Sequence, residues 1–177
     1  MSKKIIITFW GNPLYDGRCM NMLNQLITQK YQVYVLGVGK KSEHLSYKGV
    51  NIELIDQKVL QNPITKYFKF FNHVKNYIKT HRPNIIIASD LYSMIPAAKI
   101  KKIINAKIIY DSRELYTQMA GLINKPILQK IWSWYENRYI AEIDYVLVTA
   151  DIDKEYLKKL YHHPKIEIIQ NLPGNRF

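Results

Sequence analysis

The stretch "KIIYDSRELYTQ" (residues 107–118) joins an apolar run to a dense polar cluster. The run Lys107–Tyr110 has the composition of a buried β-strand. Asp111, Arg113 and Glu114 follow it at once. Such a cluster is either the solvated turn after a strand, closed by a local ion pair, or the polar end of a functional site. The spacing of these residues alone does not separate the two alternatives.

Similar apolar runs recur along the chain, and longer stretches of helical period separate them. The other strand candidates are Lys4–Phe9, Gln32–Leu36, Val50–Ile55, Ile85–Ala88, Tyr145–Thr149 and Ile166–Ile169. The helix candidates are Gly17–Gln29, Ile64–Thr80, Pro96–Ile104, Pro126–Ile143 and Ile152–Tyr161. Most strand runs are continuously apolar, which is typical of strands covered on both faces. The alternation predicts βαβ units and one α/β domain built on a parallel sheet.

Two helix starts carry an acidic residue, and two helix candidates begin with proline, of which Pro126, after Asn124 and Lys125, gives a good helix start. We expect Asp16 to cap the first helix and Asp151 the last, because a carboxylate there accepts free backbone N–H groups. Proline is favoured in the first turn of a helix. Pro96 therefore predicts that the third helix begins near Met94 or Ile95.

Composition limits the class of protein. The 177 residues are 47% hydrophobic and 23% charged, as in a globular domain rather than a disordered chain. No apolar run approaches the roughly 20 residues that span a bilayer, and the N-terminal run is too short for a signal peptide. We therefore expect a cytoplasmic protein. The single Cys19 cannot form an intrachain disulfide and is expected to pack in the core.

The formal net charge of +12 predicts attraction to anions, whether nucleic acid, phosphorylated small molecules or an acidic membrane. A lysine-rich solvated surface is the alternative. The basic residues concentrate at Lys66, Lys69, Lys75, Lys79 and Arg82, and again at Lys99, Lys101, Lys102 and Lys107. Within 66–79, Tyr67, Phe68, Phe71, Val74 and Ile78 recur at helical spacing. That helix either packs its aromatic side chains in the core or lies on an anionic membrane.

Polar loops follow the carboxyl ends of the predicted strands, where ligands bind in open α/β sheets. They are "WGNPLYDGR" (10–18), "SDLYS" (89–93), "DSRELYTQ" (111–118), "ADID" (150–153) and "QNLPGNRF" (170–177). The candidates for binding substrate are Gly11, Asn12, Asp16, Gly17, Arg18, Tyr92, Arg113 and Asn171. The candidates for a catalytic acid or base are Asp90, Asp111 and Glu114. The histidines show no metal-ligand spacing, so we expect no metal.

The first loop has the elements of an anion site. Gly17 would let a ligand approach the backbone, the free N–H groups of the helix favour a phosphate, and Arg18 adds a charge. Neither GxGxxG nor GxxxxGK[ST] is present, so a standard dinucleotide or NTP site is not supported. A turn glycine beside the capping Asp16 is the alternative. Asp90 likewise either binds a sugar hydroxyl, acts as a base or caps a helix.

The order of these segments resembles the N-terminal half of a GT-B glycosyltransferase of family 4. "LITQKYQVYVLG" (26–37) is similar to the family's "L…GHxVxVxT", and "RPNIIIASD" (82–90) to "PDIIHAHD". "WYENRYIAEIDYVLVTADIDKEYL" (134–157) and "IEIIQNLPGN" (166–175) are similar to its "lE…aDxvixxS…e.l" and "vxviPNGvD" segments. Each segment alone has little specificity for the family, whereas the segments in this order cover nearly the whole chain.

The resemblance implies a Rossmann-like, doubly wound domain over residues 1–170 that binds the acceptor, with helices on both faces of a mostly parallel sheet of about seven strands. Residues 171–177 would begin the crossover to a C-terminal domain, in cis or in a partner subunit, that holds most of the nucleotide-sugar donor. The implied acceptor is a glycan or a lipid phosphate, in bacterial surface polysaccharide synthesis at the inner membrane face. No permanently bound cofactor and no nucleic acid are expected. The 177 residues alone are expected to be inactive.

This chain departs from the family pattern at two points. Paired glycines often follow the first strand, whereas here Gly11 and Gly17 are separated; by analogy Gly17 would approach the donor diphosphate or sugar. Related sequences often read D-x-H-E where this chain has Arg113 in place of the histidine. Arginine does not deprotonate at ordinary pH, so Arg113 would act electrostatically and the base stays open among the three carboxylates.

Two other functions fit the same sequence. A stand-alone flavodoxin-like module would bind a nucleotide or phosphometabolite tightly without a second domain. A nucleic-acid-binding domain would need a continuous basic face with exposed aromatic side chains.

Overall fold

The computed structural model describes residues 2–115, 124–161 and 165–170. The strands are β1 (Lys4–Thr8), β2 (Gln32–Gly39), β3 (Glu43–Tyr47), β4 (Val50–Asp56), β5 (Ile85–Ala88), β6 (Lys107–Asp111), β7 (Tyr145–Val148) and β8 (Ile166–Ile168). The α-helices are α1 (Gly17–Thr28), α2 (Lys66–His81), α3 (Leu91–Ile104), α4 (Pro126–Ile140) and α5 (Asp151–Tyr161). Short 3₁₀ helices lie at Pro13–Tyr15 and Gln57–Leu60.

The strands form one sheet in the order β3-β4-β2-β1-β5-β6-β7-β8. Every pair is parallel except β3 with β4. Ile5, Ile6 and Ile7 of the central β1 are all buried because helices cover both sheet faces. The cluster around Ile6 contains residues of α2 to α5, and the cluster around Ile5 and Ile7 contains Leu23 of α1. The predicted doubly wound, Rossmann-like α/β fold is confirmed.

Within the described residues the sheet has eight strands rather than about seven, because the sequence interpretation missed β3. This edge strand mixes polar and apolar residues, and its side chains alternate between partly buried and exposed. Lys48 and Gly49, both with positive φ, join it to β4. A two-residue turn of that conformation suits a tight hairpin, and the "KG" pair was the signal for it.

Asp16 caps α1 as predicted, its side chain accepting the N–H of Cys19 at 2.7 Å. Cys19 is fully buried, and burial raises the pKa of its thiol to about 12. The predicted start of α3 near Met94 is wrong: α3 begins at Leu91, and Pro96 lies inside it. Asp90 caps α3 at its start. Pro96, inside the helix, has no backbone N–H and so removes a single helical hydrogen bond. 

Two further helix details differ from the predictions. Asp151 is the first residue of α5 rather than a residue before it. In α2 the buried aromatic side chains are Phe70 and Tyr77, whereas Phe68 is 67% exposed. The helix therefore turns Phe70, Val74 and Ile78 to the core.

Candidate functional site

A cavity of ≈ 590 Å³ lies at the carboxyl ends of β1, β2 and β4. Its lining consists of aromatic residues (Trp10, Tyr15), amides (Asn12, Gln57, Gln61), lysines (Lys40, Lys66), glycines (Gly11, Gly39) and two aliphatic residues (Val38, Leu60). This is the edge of a parallel sheet at which ligands bind. The cavity has amide donors and acceptors, two cations and no lining carboxylate, so it favours a polar or anionic ligand over a cation.

Trp10 is a rigid wall of this cavity. Its backbone N–H donates to the Asp90 carboxylate. Its ring packs against Phe70, Tyr92 and Tyr67, at centroid distances of 4.6, 5.2 and 5.4 Å. Tyr15, in contrast, is 89% exposed at the mouth. A ligand would meet one fixed aromatic face and one that can adjust.

The position of the cavity-lining loop after β1 depends on Gly37, a glycine that the sequence interpretation did not single out. A Cβ on Gly37 would stand 2.8 Å from the carbonyl oxygen of Gly11 and still nearer to Pro13. The next residue, Val38, donates its N–H to the same carbonyl at 2.8 Å. Only glycine at position 37 lets β2 hold the loop after β1 this closely.

A second polar group, the buried ion-pair cluster, consists of Asp16, Arg18, Asp111 and Arg113. Arg18 donates to Asp111 from Nε at 3.0 Å and from Nη2 at 2.6 Å. Arg113 donates from Nε to Asp111 at 3.0 Å, and its Nη1 pairs with Asp16 at 2.7 Å. Arg18 Nη1 also donates to the carbonyl of Ile169 at 2.6 Å. The cluster ties the start of α1 to the ends of β6 and β8.

The charges of the buried ion-pair cluster cancel, two positive against two negative. Asp111 is 0% exposed and Arg18 6% exposed. Burial alone would lower the pKa of Arg113, but Asp111 and Asp16 outweigh it and raise that pKa. Arg113 also lies over the Phe9 ring, with Cζ 4.6 Å from its centroid. Both guanidinium groups are therefore engaged by protein carboxylates, and Asp111 is occupied as an acceptor.

Asp90 lies beneath the cavity wall. Its two oxygens accept the N–H groups of Trp10 and Ser93, the latter at 2.7 Å. The residue is 2% exposed, and burial raises the pKa of its carboxyl to about 6 although both N–H groups act against this shift. The capping alternative for Asp90 is thus realised, and the buried carboxylate contacts the cavity wall through the N–H of Trp10.

The remaining candidates lie around these two groups. Gly11 and Asn12 line the cavity. Gly17 opens α1, with nothing within 4 Å of where its Cβ would stand. Tyr92 is part of the aromatic wall, and Glu114 is exposed. Asn171 lies outside the described residues.

The described residues contain neither a metal-binding cluster nor a membrane-spanning helix. In residues 2–115, 124–161 and 165–170, no three His, Cys, Asp or Glu side chains are grouped to hold a metal ion. Within the same residues, no helix has the length and apolar character to cross a membrane.

Known proteins were compared with the chain in sequence and in structure. The family model described as Glycosyltransferase Family 4 matches residues 18–172. No curated protein matches in sequence. Sucrose-phosphate synthase from Thermosynechococcus elongatus superimposes with a TM-score of 0.74 at 14% identity, over 95% of this chain and 48% of that one.

Two further solved structures share the fold at similar levels. The lipopolysaccharide outer core galactosyltransferase WaaB gives a TM-score of 0.67 at 16% identity, over 95% of this chain and 45% of its own. A UDP-N-acetylglucosamine 2-epimerase from Listeria monocytogenes, described as putative, gives 0.66 at 13%, over 94% and 44%. The chain spans about half the length of these structures, and at such identities they show the fold alone.

Proposed function

We propose, from the premise that this chain belongs to Glycosyltransferase Family 4, that it is the acceptor-side domain of a sugar-transferring enzyme. The reaction moves a sugar from a nucleotide-sugar donor to a hydroxyl of a glycan or a lipid-linked acceptor. The assignment to the acceptor side rests on one observation, the cavity at the carboxyl ends of β1, β2 and β4.

The lining of the cavity supports an acceptor with sugar and anionic parts. Trp10 offers a fixed aromatic face against which the apolar face of a sugar ring can pack. Asn12, Gln57 and Gln61 offer amide groups for hydroxyls, and Lys40 and Lys66 offer charge for a phosphate. The net charge of +12 supports the same preference.

The donor is proposed to bind mainly to a further domain, in cis or in a partner subunit. The matched structures are about twice the length of this chain, which supports that arrangement. In the transfer, the acceptor hydroxyl attacks the anomeric carbon, the bond to the diphosphate breaks, and the hydroxyl proton leaves to a base. Among the three candidate carboxylates Glu114 is the exposed one, so it is the strongest candidate for a base from this domain. Surface-polysaccharide synthesis is the setting we propose.

The proposal is tested by titrating the ¹⁵N-labelled 177-residue chain with three probes. These are a neutral oligosaccharide panel, a short-chain isoprenyl phosphate and UDP-sugars. We expect the acceptor probes to shift the amide signals of Gly11, Asn12 and Gly39, with UDP-sugars binding weakly. Tight binding of the nucleotide with no response to any acceptor probe would support the flavodoxin-like module instead.

Replacing Lys40 and Lys66 by glutamine should weaken isoprenyl phosphate binding about tenfold, because two charge-assisted contacts are lost. Binding of a neutral oligosaccharide should change less than about twofold. The matched control is Lys79→Gln, at the far end of α2 and outside the cavity lining. An equal loss for charged and neutral probes would show that the lysines shape the cavity rather than recognise charge.

A further inference from the structure

The two lysines of the cavity differ in how their ammonium groups are held. Lys40 and Lys66 both line the cavity, but Lys40 is exposed whereas Lys66 is half-buried. The Nζ of Lys66 lies over the ring of Tyr67, 4.9 Å from its centroid. This is within the roughly 6 Å over which an aromatic face attracts a cation. Lys66 is thus held by a neighbour that is not itself part of the cavity lining.

Tyr67 is in turn held by other aromatic rings. Its ring stacks on Tyr92 at 5.1 Å between centroids, and it packs edge-to-face with Trp132 at 4.7 Å. A hydrogen bond also joins the side chains of Tyr67 and Tyr92. Trp10, the wall of the cavity, lies 5.4 Å away. Because Trp132 is 4% exposed, these contacts anchor the Tyr67 ring to the core.

A lysine that is already held binds an anion at a smaller entropic cost. A free lysine side chain loses rotamer freedom when a ligand immobilises it, and this loss weakens binding. The Tyr67 ring restricts Lys66 before any ligand arrives. An ammonium has three N–H donors, and the ring contacts only one side of the group. The other side is left to donate to an oxygen of a ligand in the cavity.

We propose that Lys66 is the residue by which the cavity selects an acceptor carrying a phosphate monoester, and that Tyr67 is the positioning residue that holds the Lys66 ammonium for it. Lys40 attracts the same anion without a fixed geometry. This inference rests on the proposed function, because it concerns the cavity assigned to the acceptor. It narrows the acceptor to a phosphate-bearing one and places the phosphate at the start of α2.

The test is a double-mutant cycle on the binding of a short-chain isoprenyl phosphate to the 177-residue chain, measured by calorimetry. Lys66→Gln should weaken binding about fivefold and Lys40→Gln about twofold. Tyr67→Leu should weaken it about three- to fivefold, because the ammonium remains but is no longer held. Tyr67→Phe keeps the ring and should bind as wild type does. In the Lys66→Gln background, Tyr67→Leu should have no further effect, since it acts through that lysine.

Two controls separate positioning from a loss of structure. The neutral oligosaccharide panel should bind Tyr67→Leu within about twofold of wild type, since the amides and Trp10 are unchanged. Tyr145 is a matched aromatic residue, because Lys165 Nζ lies 5.0 Å from its ring centroid. It begins β7 and so lies at the opposite edge of the sheet from the cavity. Tyr145→Leu should leave isoprenyl phosphate binding unchanged.

A further measurement needs no variant and no ligand. A methylene group over an aromatic face is shifted upfield in the proton NMR spectrum by the ring current. The Hε signals of Lys66 should therefore lie upfield of their random-coil positions in wild type and in Tyr67→Phe. Hε signals of wild type at random-coil positions would show that the ring does not hold Lys66, and would overturn the proposal.

Four binding results would also overturn it. Tyr67→Leu could bind isoprenyl phosphate as tightly as wild type, or more tightly, the latter meaning that the ring holds the ammonium away from the ligand. It could weaken binding equally with and without Lys66, meaning that Tyr67 only shapes the wall. Inorganic phosphate could bind as tightly as isoprenyl phosphate, which would identify a bare anion site. In the first three cases isoprenyl phosphate still binds wild type and the proposed function stands, whereas no binding of any acceptor probe overturns both.

Discussion

Asp111→Ala should lower the free energy of unfolding by about 3–5 kcal/mol, the largest effect we expect from a single substitution in this chain. Removing one partner of a buried ion pair leaves the other charges desolvated and unpaired. Here the residue lost is 0% exposed and holds both Arg18 and Arg113. Urea denaturation of the 177-residue chain, followed by circular dichroism, measures the change.

A surface pair supplies the control for this measurement. Glu43 pairs with Lys41 at 3.0 Å, but their side chains are 30% and 75% exposed. Glu43→Ala should therefore cost no more than about 1 kcal/mol. Arg18→Met combined with Asp111→Leu should recover part of the loss, since apolar residues of similar volume often replace a buried pair without penalty. An Asp111→Ala cost as small as that of Glu43→Ala would show that the buried ion-pair cluster contributes little to stability.

The buried ion-pair cluster shows what sequence reasoning reached and what it missed. The local pair of Asp111 with Arg113 was one of the two alternatives for the "YDSRELY" cluster, and it forms. Arg18, 93 residues away, makes the more extensive contact with Asp111. A pattern of neighbouring letters contains no signal for such a pairing. It follows only from β1 and β6 lying on either side of β5 in one parallel sheet.

The sequence predicted some of the residues that line the cavity and missed others. Gly11 and Asn12 belong to the loop after β1, which the rule for parallel sheets selected. Lys40 and Gln57 follow β2 and β4, whose carboxyl ends lie at the same edge. The same rule applies to those two loops, "GKKSE" and "QKVLQ", and would have found the lysine and the glutamine. The edge strand β3 was missed because its side chains are only half buried, so its sequence lacks an apolar run.

Asp90→Asn should change how stability depends on pH. Burial raises the pKa of the Asp90 carboxyl from its ordinary 3.8 to about 6 in the folded chain. A carboxyl with a raised pKa binds its proton more tightly when folded. Its contribution to stability is therefore fully present below pH ~4 and is lost as the pH rises through about 6. A shift of this size corresponds to about 2–3 kcal/mol.

The measurement is the difference in free energy of unfolding between wild type and Asp90→Asn at several pH values from 4 to 7.5. Asparagine keeps one oxygen to cap α3 but does not ionise, so all other titrating groups cancel in the difference. We expect wild type to lose about 2–3 kcal/mol relative to the variant across that range.

Asp144→Asn is the control of opposite sign: burial alone would raise the pKa of Asp144, but Lys101 and the N–H of Ile108 lower it. Wild type should gain slightly over that variant as the pH rises, by less than about 1 kcal/mol because the pair is partly exposed. A difference in free energy of unfolding between wild type and Asp90→Asn that does not change with pH would contradict the prediction. It would mean that the Asp90 carboxyl of the wild type titrates as it does in water, and that water reaches the wall beneath Trp10.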